Sequence, residues 1–285
     1  MAIARVGEIY KDGLEKGYGT PMINVASYEM IKWAIQAAEE EGMPILIGMH
    51  LAFTRNLDME AAYLLTKMYA ERVKVPVAFH LDHTPSIKEI GPLLKFFDSV
   101  MVDGSSLPYE DNVRVTKEVV DVCKWMGKEV EAELGHVGSG SSLDDIQNAD
   151  HYTNPQQAAE FVERTGCNSL AIAIGNAHGA YVAAPNLDFE RLKEIRKAVD
   201  IPLVLHGGSG IPDEQFTKCA ELGMSKFNIF TDYNVGFAKA AKAYLSQDGV
   251  EKRGALSMLL ACEEPCREII RHKIRMVNPK GLRVV

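Results

Sequence analysis

The sequence lacks the features of a membrane-spanning or secreted protein. No stretch approaches the ~20 consecutive apolar residues of a transmembrane helix, and residues 1–17 contain no apolar centre typical of a signal peptide. The five cysteines are scattered and odd in number, and none is spaced as CxxC, which favours free thiols in a reducing compartment. We therefore expect a cytoplasmic protein without disulfides and without a membrane partner.

An excess of positive charge is also absent. The 285 residues carry a formal net charge of −8, whereas a general nucleic-acid surface requires clustered lysine and arginine. The locally basic segment 271–283 is expected to form a terminal helix and tail. Hydrophobic residues make up 47% of the chain, which is sufficient for the core of a globular domain. We expect no nucleic-acid partner.

Eight short apolar runs alternate with longer amphipathic stretches. Stretches such as 28–42 and 112–127 place apolar residues three and four positions apart and end at glycine, which predicts helices. Eight strand–helix units predict an α/β fold, namely a single (β/α)8 TIM barrel domain over residues 1–285 with extra C-terminal helices. A doubly wound sheet is the alternative, but the first run is not followed by the glycine-rich turn of a dinucleotide site. The predicted strands cover residues 22–27, 44–50, 75–82, 99–105, 129–135, 169–175, 202–208 and 226–231.

One connection is much longer than the others. The residues between Gly135 and Pro155 are rich in glycine, serine and aspartate, whereas most connections in a compact domain have about two to six residues. At the carboxyl end of a barrel strand, such a loop is either a lid over an active site or a disordered insert. We expect a lid.

Three of the eight histidines lie at the ends of different apolar runs. His83, His178 and His206 end or follow the third, sixth and seventh predicted strands. The carboxyl ends of barrel strands open on one face, where active sites lie. Three imidazoles around an open fourth position are typical of catalytic zinc, so we predict that these rings bind one zinc ion. Gly179 and Gly207, each next to one of these histidines, allow the backbone to approach a ligand closely.

Two further ionisable groups lie in the segment 75–84. Asp82 precedes a predicted zinc ligand, and a carboxylate near a metal but not bound to it is suited to proton transfer. A helix N-cap, or a partner of a ligand, is the alternative role for Asp82. His80 is expected to be packed and hydrogen-bonded inside the protein.

Two neighbouring loops indicate a phosphate site. Residues 206–214 place three glycines and Ser209 directly before a predicted helix, whose free N–H groups and positive end suit an anion. The next strand ends in the same way, with Thr231 at the start of a helix. In (β/α)8 barrels, the loops after strands seven and eight form the usual phosphate site. A plain tight turn is the alternative explanation of the glycines.

Together these motifs resemble a known family. They are similar to the class II, zinc-dependent ketose-bisphosphate aldolases, which include the fructose- and tagatose-bisphosphate aldolases. The resemblance implies a (β/α)8 fold and the reversible cleavage of a phosphorylated ketose to dihydroxyacetone phosphate and an aldehyde, a reaction of carbohydrate metabolism. It also implies a homodimer or homotetramer. The segments that carry it are residues 80–83, 103–120, 131–135, 173–181, 203–212 and 226–232.

The resemblance implies a role for individual residues. Asp82 is expected to be the acid/base at the C4 hydroxyl of the substrate. A monovalent cation, Na⁺ or K⁺, is expected at the phosphate loops near Gly179 and Ser209. The expected metal residues are His83, His178 and His206, with Glu133 and Asp103 as acidic residues near the metal. The expected substrate and phosphate residues are Asn24, Gly179, Gly207, Ser209, Asn228 and Thr231.

The sequence departs from the family in the part that meets the aldehyde. The acidic residue that helps to move the proton at C3 is missing, because glycine and serine occupy positions 140–142. Asp144, Asp145 or His136 could replace it. Thr84, in contrast, is a peripheral difference. We infer that the aldehyde differs from that of the bisphosphate enzymes and either lacks the second phosphate or carries a carboxylate.

Three other side chains are candidates for contact with the aldehyde end of the substrate. His50 ends the second predicted strand, where it either contacts substrate or caps the strand. Arg55 and Arg275 are the candidate arginines for a distal phosphate.

Three alternative functions follow from the same residues. A Schiff-base aldolase needs a desolvated lysine inside the barrel, but the sixth predicted strand has none and Lys226 is expected to precede its strand. A zinc hydrolase would use a metal-bound water and would not need the phosphate loops. A non-catalytic zinc-binding barrel that recognises a sugar phosphate is the third alternative.

Overall fold

The computed structural model describes residues 3–144, 148–250 and 253–285. Within these ranges, eight parallel strands pair in chain order, and the last strand pairs with the first to close a barrel. The predicted (β/α)8 TIM barrel is confirmed. The strands are β1 (Thr20–Asn24), β2 (Ile45–His50), β3 (Val77–Thr84), β4 (Ser99–Val102), β5 (Glu129–Leu134), β6 (Ser169–Ile172), β7 (Leu203–Leu205) and β8 (Met224–Ile229).

Helices connect the strands and form the outer layer. Gly42 and Gly127 follow the two helices predicted to end at glycine, with φ of 65° and 64°, a left-handed conformation that glycine adopts without strain. The helices are α1 (Val6–Lys16), α2 (Tyr28–Glu41), α3 (Met59–Ala70), α4 (Ile87–Ile90), α5 (Tyr109–Trp125), α6 (Pro155–Thr165), α7 (Phe189–Ala198), α8 (Asp213–Glu221), α9 (Thr231–Leu245) and α10 (Gly254–Val277).

The three strands that carry or precede the predicted zinc ligands end at positions that differ from the prediction. β6 and β7 are shorter than predicted, because the chain turns through Gly175 and Gly207, whose φ angles are 101° and 63°. β3 instead continues beyond Asp82. As a result, His83 lies within a strand and His178 lies in a loop, although both reach the same end of the barrel.

The long helix α10 extends the barrel beyond its eighth strand–helix unit, as predicted. It packs against α9 and α2 on the outside of the barrel. Ion pairs support this contact, with Arg271 Nη1 2.7 Å from Glu40 Oε2 and Arg275 Nη2 2.6 Å from Glu41 Oε1. In the described ranges, no helix has both the length and the apolar character to cross a membrane.

The interior of the barrel is apolar at its amino-terminal base and polar further along. At the base, α1 packs onto inward-facing residues of the first three strands and closes the end. Further along the strands, His80, Glu131 and Lys226 are fully buried and contact one another. His80 Nδ1 also lies 2.9 Å from Ser99 Oγ, so the predicted packed role of His80 is confirmed.

Lys226 lies in the middle of β8, so the prediction that it precedes its strand is wrong. Its ammonium group donates to Glu131 Oε2 at 2.6 Å and lies 3.2 Å from His80 Nε2. A buried charge is tolerated only when it is paired in this way. Because side chains alternate along a strand, Lys226 and Asn228 share the inner face of β8.

Candidate active site

A cavity of about 570 Å³ lies at the carboxyl ends of the barrel strands. All of the predicted site residues line this cavity except His206, whose side chain is fully buried. The fold therefore brings together residues from seven of the strand–loop units. The predicted residues in the lining are Asn24, Asp82, His83, Asp103, Glu133, His178, Gly179, Gly207, Ser209, Asn228 and Thr231.

Three imidazole nitrogens converge beside this cavity. His206 Nδ1 lies 2.9 Å from His83 Nε2 and 3.3 Å from His178 Nε2. Four-coordinate zinc binds imidazole nitrogen at ~2.0–2.1 Å, which places neighbouring ligand nitrogens about 3.3 Å apart. The observed spacing therefore fits three ligands of one metal ion.

The second nitrogen of each ring faces an oxygen acceptor, and this fixes the tautomer. A carboxylate or carbonyl oxygen only accepts, so the nitrogen that faces it carries the proton and the opposite nitrogen keeps its lone pair. Three lone pairs consequently point at the same place, as a metal site requires. The pairs are His83 Nδ1 with Asp103 Oδ2 (2.8 Å), His206 Nε2 with Glu131 Oε1 (2.9 Å) and His178 Nδ1 with the Val137 carbonyl (3.0 Å).

The predicted acidic residues near the metal have different positions. Glu133 Oε2 is buried without a hydrogen-bond partner and lies 4.0 Å from His206 Nδ1, so it is available to a cation at the cluster. Asp103 instead holds the far nitrogen of His83 and accepts from Ser105 Oγ at 2.7 Å. In this arrangement Asp103 orients His83.

The charges around the three histidines favour a bound cation. Burial lowers the pKa of His83, but the carboxylates of Asp82 and Asp103 outweigh it and raise that pKa to about 10. Burial and the two neighbouring imidazoles lower the pKa of His178 to about 3, which keeps it in the neutral form that binds metals. Burial and the nearby Asp103 raise the pKa of Glu133 to about 8. The same negative charges that favour a proton on His83 favour a divalent ion there.

A backbone irregularity brings two consecutive residues of β3 to the cavity. His83 has a φ of 44°, and within the described ranges no other non-glycine residue has a positive φ. The pairing of β3 with β4 shifts its register between Leu81 and Thr84. Neighbours in a regular strand point to opposite faces, whereas here both Asp82 and His83 line the cavity. Strain of about 1–3 kcal/mol at such a residue is typical of functional sites.

Asp82 is held as a carboxylate by two amide donors. Asn24 Nδ2 donates to Asp82 Oδ2 at 2.7 Å, and Asn228 Nδ2 donates to Asp82 Oδ1 at 3.1 Å. Burial raises the pKa of Asp82, but the charges of His83 and His206 dominate and hold the pKa well below its usual range. The two amides fix the direction of the carboxylate beside the histidine cluster.

Hydrogen bonds connect the two predicted phosphate loops. The N–H of Gly208 donates to the Asn228 carbonyl at 2.9 Å, and the N–H of Asp232 donates to Ser209 Oγ at 3.1 Å. Gly207 cannot be replaced without movement, because a Cβ there would lie 2.0 Å from the Ala177 carbonyl oxygen. The loops after β7 and β8 therefore form one connected surface beside the cluster.

The long loop after β5 is tied to the loop that carries His178. The N–H of His178 donates to the Gly138 carbonyl at 2.8 Å, and the N–H of Gly140 donates to the His178 carbonyl at 2.7 Å. The described parts of this loop are therefore not a disordered insert. Of the candidates for the missing acid, His136 lines the cavity and Asp144 does not. Asp145 lies outside the described residues.

Aromatic side chains form part of the cavity wall. Phe53 and Phe230 stack with ring centroids 4.6 Å apart. His50 lines the cavity, and its Nδ1 accepts from the Ala52 N–H at 3.0 Å, so the predicted cap is confirmed and contact with substrate stays a prediction. The candidate arginines are not part of the lining. Arg275 pairs with α2 on the outside of the barrel, and Arg55 is absent from the cavity surface.

Sequence reasoning missed Glu131 and Lys226, which support the histidine cluster from inside the barrel. Glu131 Oε1 accepts from His206 Nε2, and Glu131 Oε2 accepts from Lys226 Nζ. A signal was present, because Glu131 and Glu133 are two residues apart in one strand and must share a face. The face that carries Glu133 into the site therefore carries Glu131 into the interior.

The fold and the site define a (β/α)8 barrel with a cluster of side chains that could hold a metal ion at the carboxyl ends of its strands. The family model of the class II fructose-bisphosphate aldolases matches residues 4–282. The chain is similar to the YdjI aldolase from Escherichia coli K12, at 37% identity over 96% of this chain and 97% of that one, with a TM-score of 0.86. It is also similar to a protein from Coccidioides immitis assigned as a fructose-1,6-biphosphate aldolase, at 30% identity over 96% of both chains, with a TM-score of 0.84.

A third structure agrees in fold. Fructose-bisphosphate aldolase (Fba) from Campylobacter jejuni is 23% identical over 97% of this chain and 96% of that one, with a TM-score of 0.82. The chain belongs to the class II fructose-bisphosphate aldolase family. It is an aldolase, a lyase that cleaves carbon–carbon bonds.

Proposed function

We propose that this protein is a zinc-dependent aldolase that cleaves a phosphorylated ketose reversibly to dihydroxyacetone phosphate and an aldehyde. The observation that carries the proposal is the convergence of three imidazole lone pairs beside Asp82 and the glycine-rich loops. His83, His178 and His206 are the proposed zinc ligands, and Glu133 is available as a further oxygen ligand. A bound zinc ion would supply Lewis-acid stabilisation of the negative charge that develops on the substrate oxygens.

Asp82 is the proposed acid/base of the reaction. Cleavage of the C3–C4 bond turns the C4 hydroxyl into an aldehyde, so a base must take the hydroxyl proton. Asn24 and Asn228 leave Asp82 oriented toward the cavity and ionised, and it returns the proton when the reaction runs backward. Positioned proton transfer of this kind is typically worth ~10²–10⁴-fold in rate.

The loops after β7 and β8 are the proposed site for the phosphate of the dihydroxyacetone phosphate portion. Gly207, Ser209 and Thr231 line the cavity there, at the start of α9, and the positive end of a helix favours an anion. Gly179 faces the same space, and a Cβ at this position would meet no atom within 4 Å. The monovalent cation predicted near Gly179 and Ser209 stays a prediction, as does the dimeric or tetrameric state.

The aldehyde portion is proposed to lack a phosphate group. Within the described part of the chain, neither lysine nor arginine lines the cavity. Phosphate binding by proteins typically relies on arginine, lysine or a helix N-terminus. The cavity lining instead includes the rings of Phe53, Phe230 and His50. A ketose 1-phosphate fits these surroundings better than a ketose bisphosphate.

The Schiff-base alternative gains no support from the buried position of Lys226. Its ammonium group is 2.6 Å from Glu131 and does not line the cavity, so a substrate carbonyl cannot reach it in this arrangement. The hydrolytic alternative shares the metal residues, and the non-catalytic alternative shares both the metal and the phosphate residues, so assays of turnover must separate them.

The test is a retro-aldol screen of ketose 1-phosphates and bisphosphates, coupled to the detection of dihydroxyacetone phosphate. We expect turnover of a 1-phosphate, loss of turnover with a strong chelator, and recovery with zinc. Phosphoester hydrolysis without dihydroxyacetone phosphate would favour the hydrolase. Zinc and dihydroxyacetone phosphate binding without cleavage or exchange of the C–H proton would favour the non-catalytic protein, and trapping by borohydride would favour the Schiff base.

A further inference from the structure

A buried lysine of the C-terminal helix contacts both loops of the proposed phosphate site from outside the cavity. Lys273 of α10 has a side chain that is only 6% exposed, and its Nζ lies 2.8 Å from Asp232 Oδ2. The same ammonium group lies 3.5 Å from the Gly208 carbonyl oxygen and 4.8 Å from the centre of the Phe216 ring. Lys273 therefore contacts the loop after β7 and the first turn of α9 together.

Asp232 links the two phosphate loops at this point. Its carboxylate accepts from the Gly210 N–H at 3.2 Å, and its own N–H donates to Ser209 Oγ at 3.1 Å. These bonds shape the glycine-rich loop. However, they also place a carboxylate one residue after Thr231, which lines the proposed phosphate site. A free carboxylate this close to a phosphate dianion would repel it.

We propose that Lys273 is a positioning residue for the substrate phosphate, acting through Asp232. It neutralises the Asp232 carboxylate, so that Asp232 can shape the loop without repelling the dianion, and it holds the two loops together through Gly208. This inference rests on the proposed function, because it takes the loops after β7 and β8 as the phosphate site. Lys273 itself does not line the catalytic cavity.

The experiment compares Lys273→Met with Arg275→Met as the matched control. Arg275 is a cation of the same helix, but its ion pairs with Glu41 and Glu268 lie on the outside of the barrel. The assay is zinc-dependent exchange of the dihydroxyacetone phosphate C–H proton with solvent deuterium, followed by NMR. It needs no knowledge of the aldehyde. Zinc content and melting temperature are measured for each variant.

For Lys273→Met we expect a KM for dihydroxyacetone phosphate that rises by about tenfold or more, as for the loss of a charged hydrogen-bond partner. We expect kcat to change by less than about twofold and zinc content to stay the same, because the histidine cluster is untouched. Arg275→Met should leave both constants unchanged. An unchanged KM in a folded, zinc-loaded Lys273→Met would overturn the proposal.

The double variant Lys273→Met with Asp232→Asn isolates the charge effect. Asparagine can still accept from the Gly210 N–H but carries no charge, so we expect KM to recover to within about threefold of the wild type. If the KM of the double variant is as high as that of Lys273→Met, a role of Lys273 through the charge of Asp232 is contradicted. Calorimetric titration with inorganic phosphate, carried out on the same proteins, should show the same order of affinities.

The two proposals fail in different ways. If the wild type binds phosphate but shows no exchange, the proposed aldol chemistry fails, and the phosphate affinities still decide the role of Lys273. If the wild type exchanges the proton and Lys273→Met matches it in KM, only the role of Lys273 fails. A wild type that does not bind phosphate at all would overturn both.

Discussion

The ion pair between Lys226 and Glu131 offers a sharp test of how the histidine cluster is held. Both side chains are fully buried, and Lys226 Nζ lies 2.6 Å from Glu131 Oε2. The other carboxylate oxygen of Glu131 accepts from His206 Nε2 at 2.9 Å. Lys226→Met keeps an unbranched side chain but removes the ammonium group. The change leaves the Glu131 carboxylate buried without its cation.

The expected cost is large because only one member of a buried pair is removed. Such a change typically destabilises a protein by about 3–5 kcal/mol, whereas replacing both members with apolar residues is often neutral. At this chain length each kcal/mol lowers the melting temperature by about 2–4 °C, so we expect a drop of roughly 10 °C. Glu131 is then no longer fixed by Lys226 as the hydrogen-bond partner of His206. Zinc affinity should therefore fall by about 10–100-fold.

The assay measures the melting temperature and the zinc dissociation constant of Lys226→Met. Lys218→Met is the matched control, since Lys218 Nζ pairs with Glu221 at 2.8 Å on the surface, where an ion pair contributes only about 0–1 kcal/mol. The double variant Lys226→Met with Glu131→Leu should recover most of the melting temperature but not the zinc affinity. A Lys226→Met protein as stable as the control would refute the reasoning that Glu131 is held as a carboxylate.

Three further predictions concern the active site. Asp82→Asn should lower kcat for retro-aldol cleavage by about 10²–10⁴-fold while zinc content, measured by atomic absorption, is retained. Gly207→Ala should lower the melting temperature by more than Gly127→Ala, because both have φ near 63–64° but only the first adds a Cβ 2.0 Å from a carbonyl oxygen. Chelation should abolish turnover and lower the melting temperature, since a ligand bound only by the native state stabilises it.

Each of these predictions has its own control. For Asp82, the exposed Asp111, which pairs with Arg114 at 3.1 Å, is the comparison, and a kcat equal to that of Asp111→Asn would exclude Asp82 as the acid/base. For Gly207, equal melting temperatures of Gly207→Ala and Gly127→Ala would show that the loop moves to accommodate a Cβ at little cost in stability. For chelation, turnover that persists in protein shown to be metal-free would contradict a metal-dependent reaction.

The barrel and much of the site could be predicted from sequence because their signals are local. A buried strand is a short apolar run, and a polar residue at its carboxyl end falls on the functional face of the barrel. This rule was enough to select His83, His178 and His206, whose nitrogens do converge. Strand ends were less predictable, because a positive φ at Gly175 depends on how the loop packs.

The contacts behind the cluster could not be predicted, since they join distant parts of the chain. Lys226 meets Glu131 across the barrel, 95 residues away in sequence, and Lys273 meets Gly208 65 residues away. β8 begins at Met224, earlier than predicted, so Lys226 lies within the strand and not before it. No local pattern marked Lys273, which lies in a helix whose other charged residues pair on the outside.

The central claim is that the imidazoles of His83, His178 and His206 share one zinc ion. X-ray absorption spectroscopy at the zinc edge of the zinc-loaded enzyme tests it directly. We expect a coordination shell dominated by imidazole nitrogen at about 2.0–2.1 Å, with three histidines per zinc and the rest oxygen. A shell that contains sulfur, or one fitted by a single imidazole or none, would contradict the account.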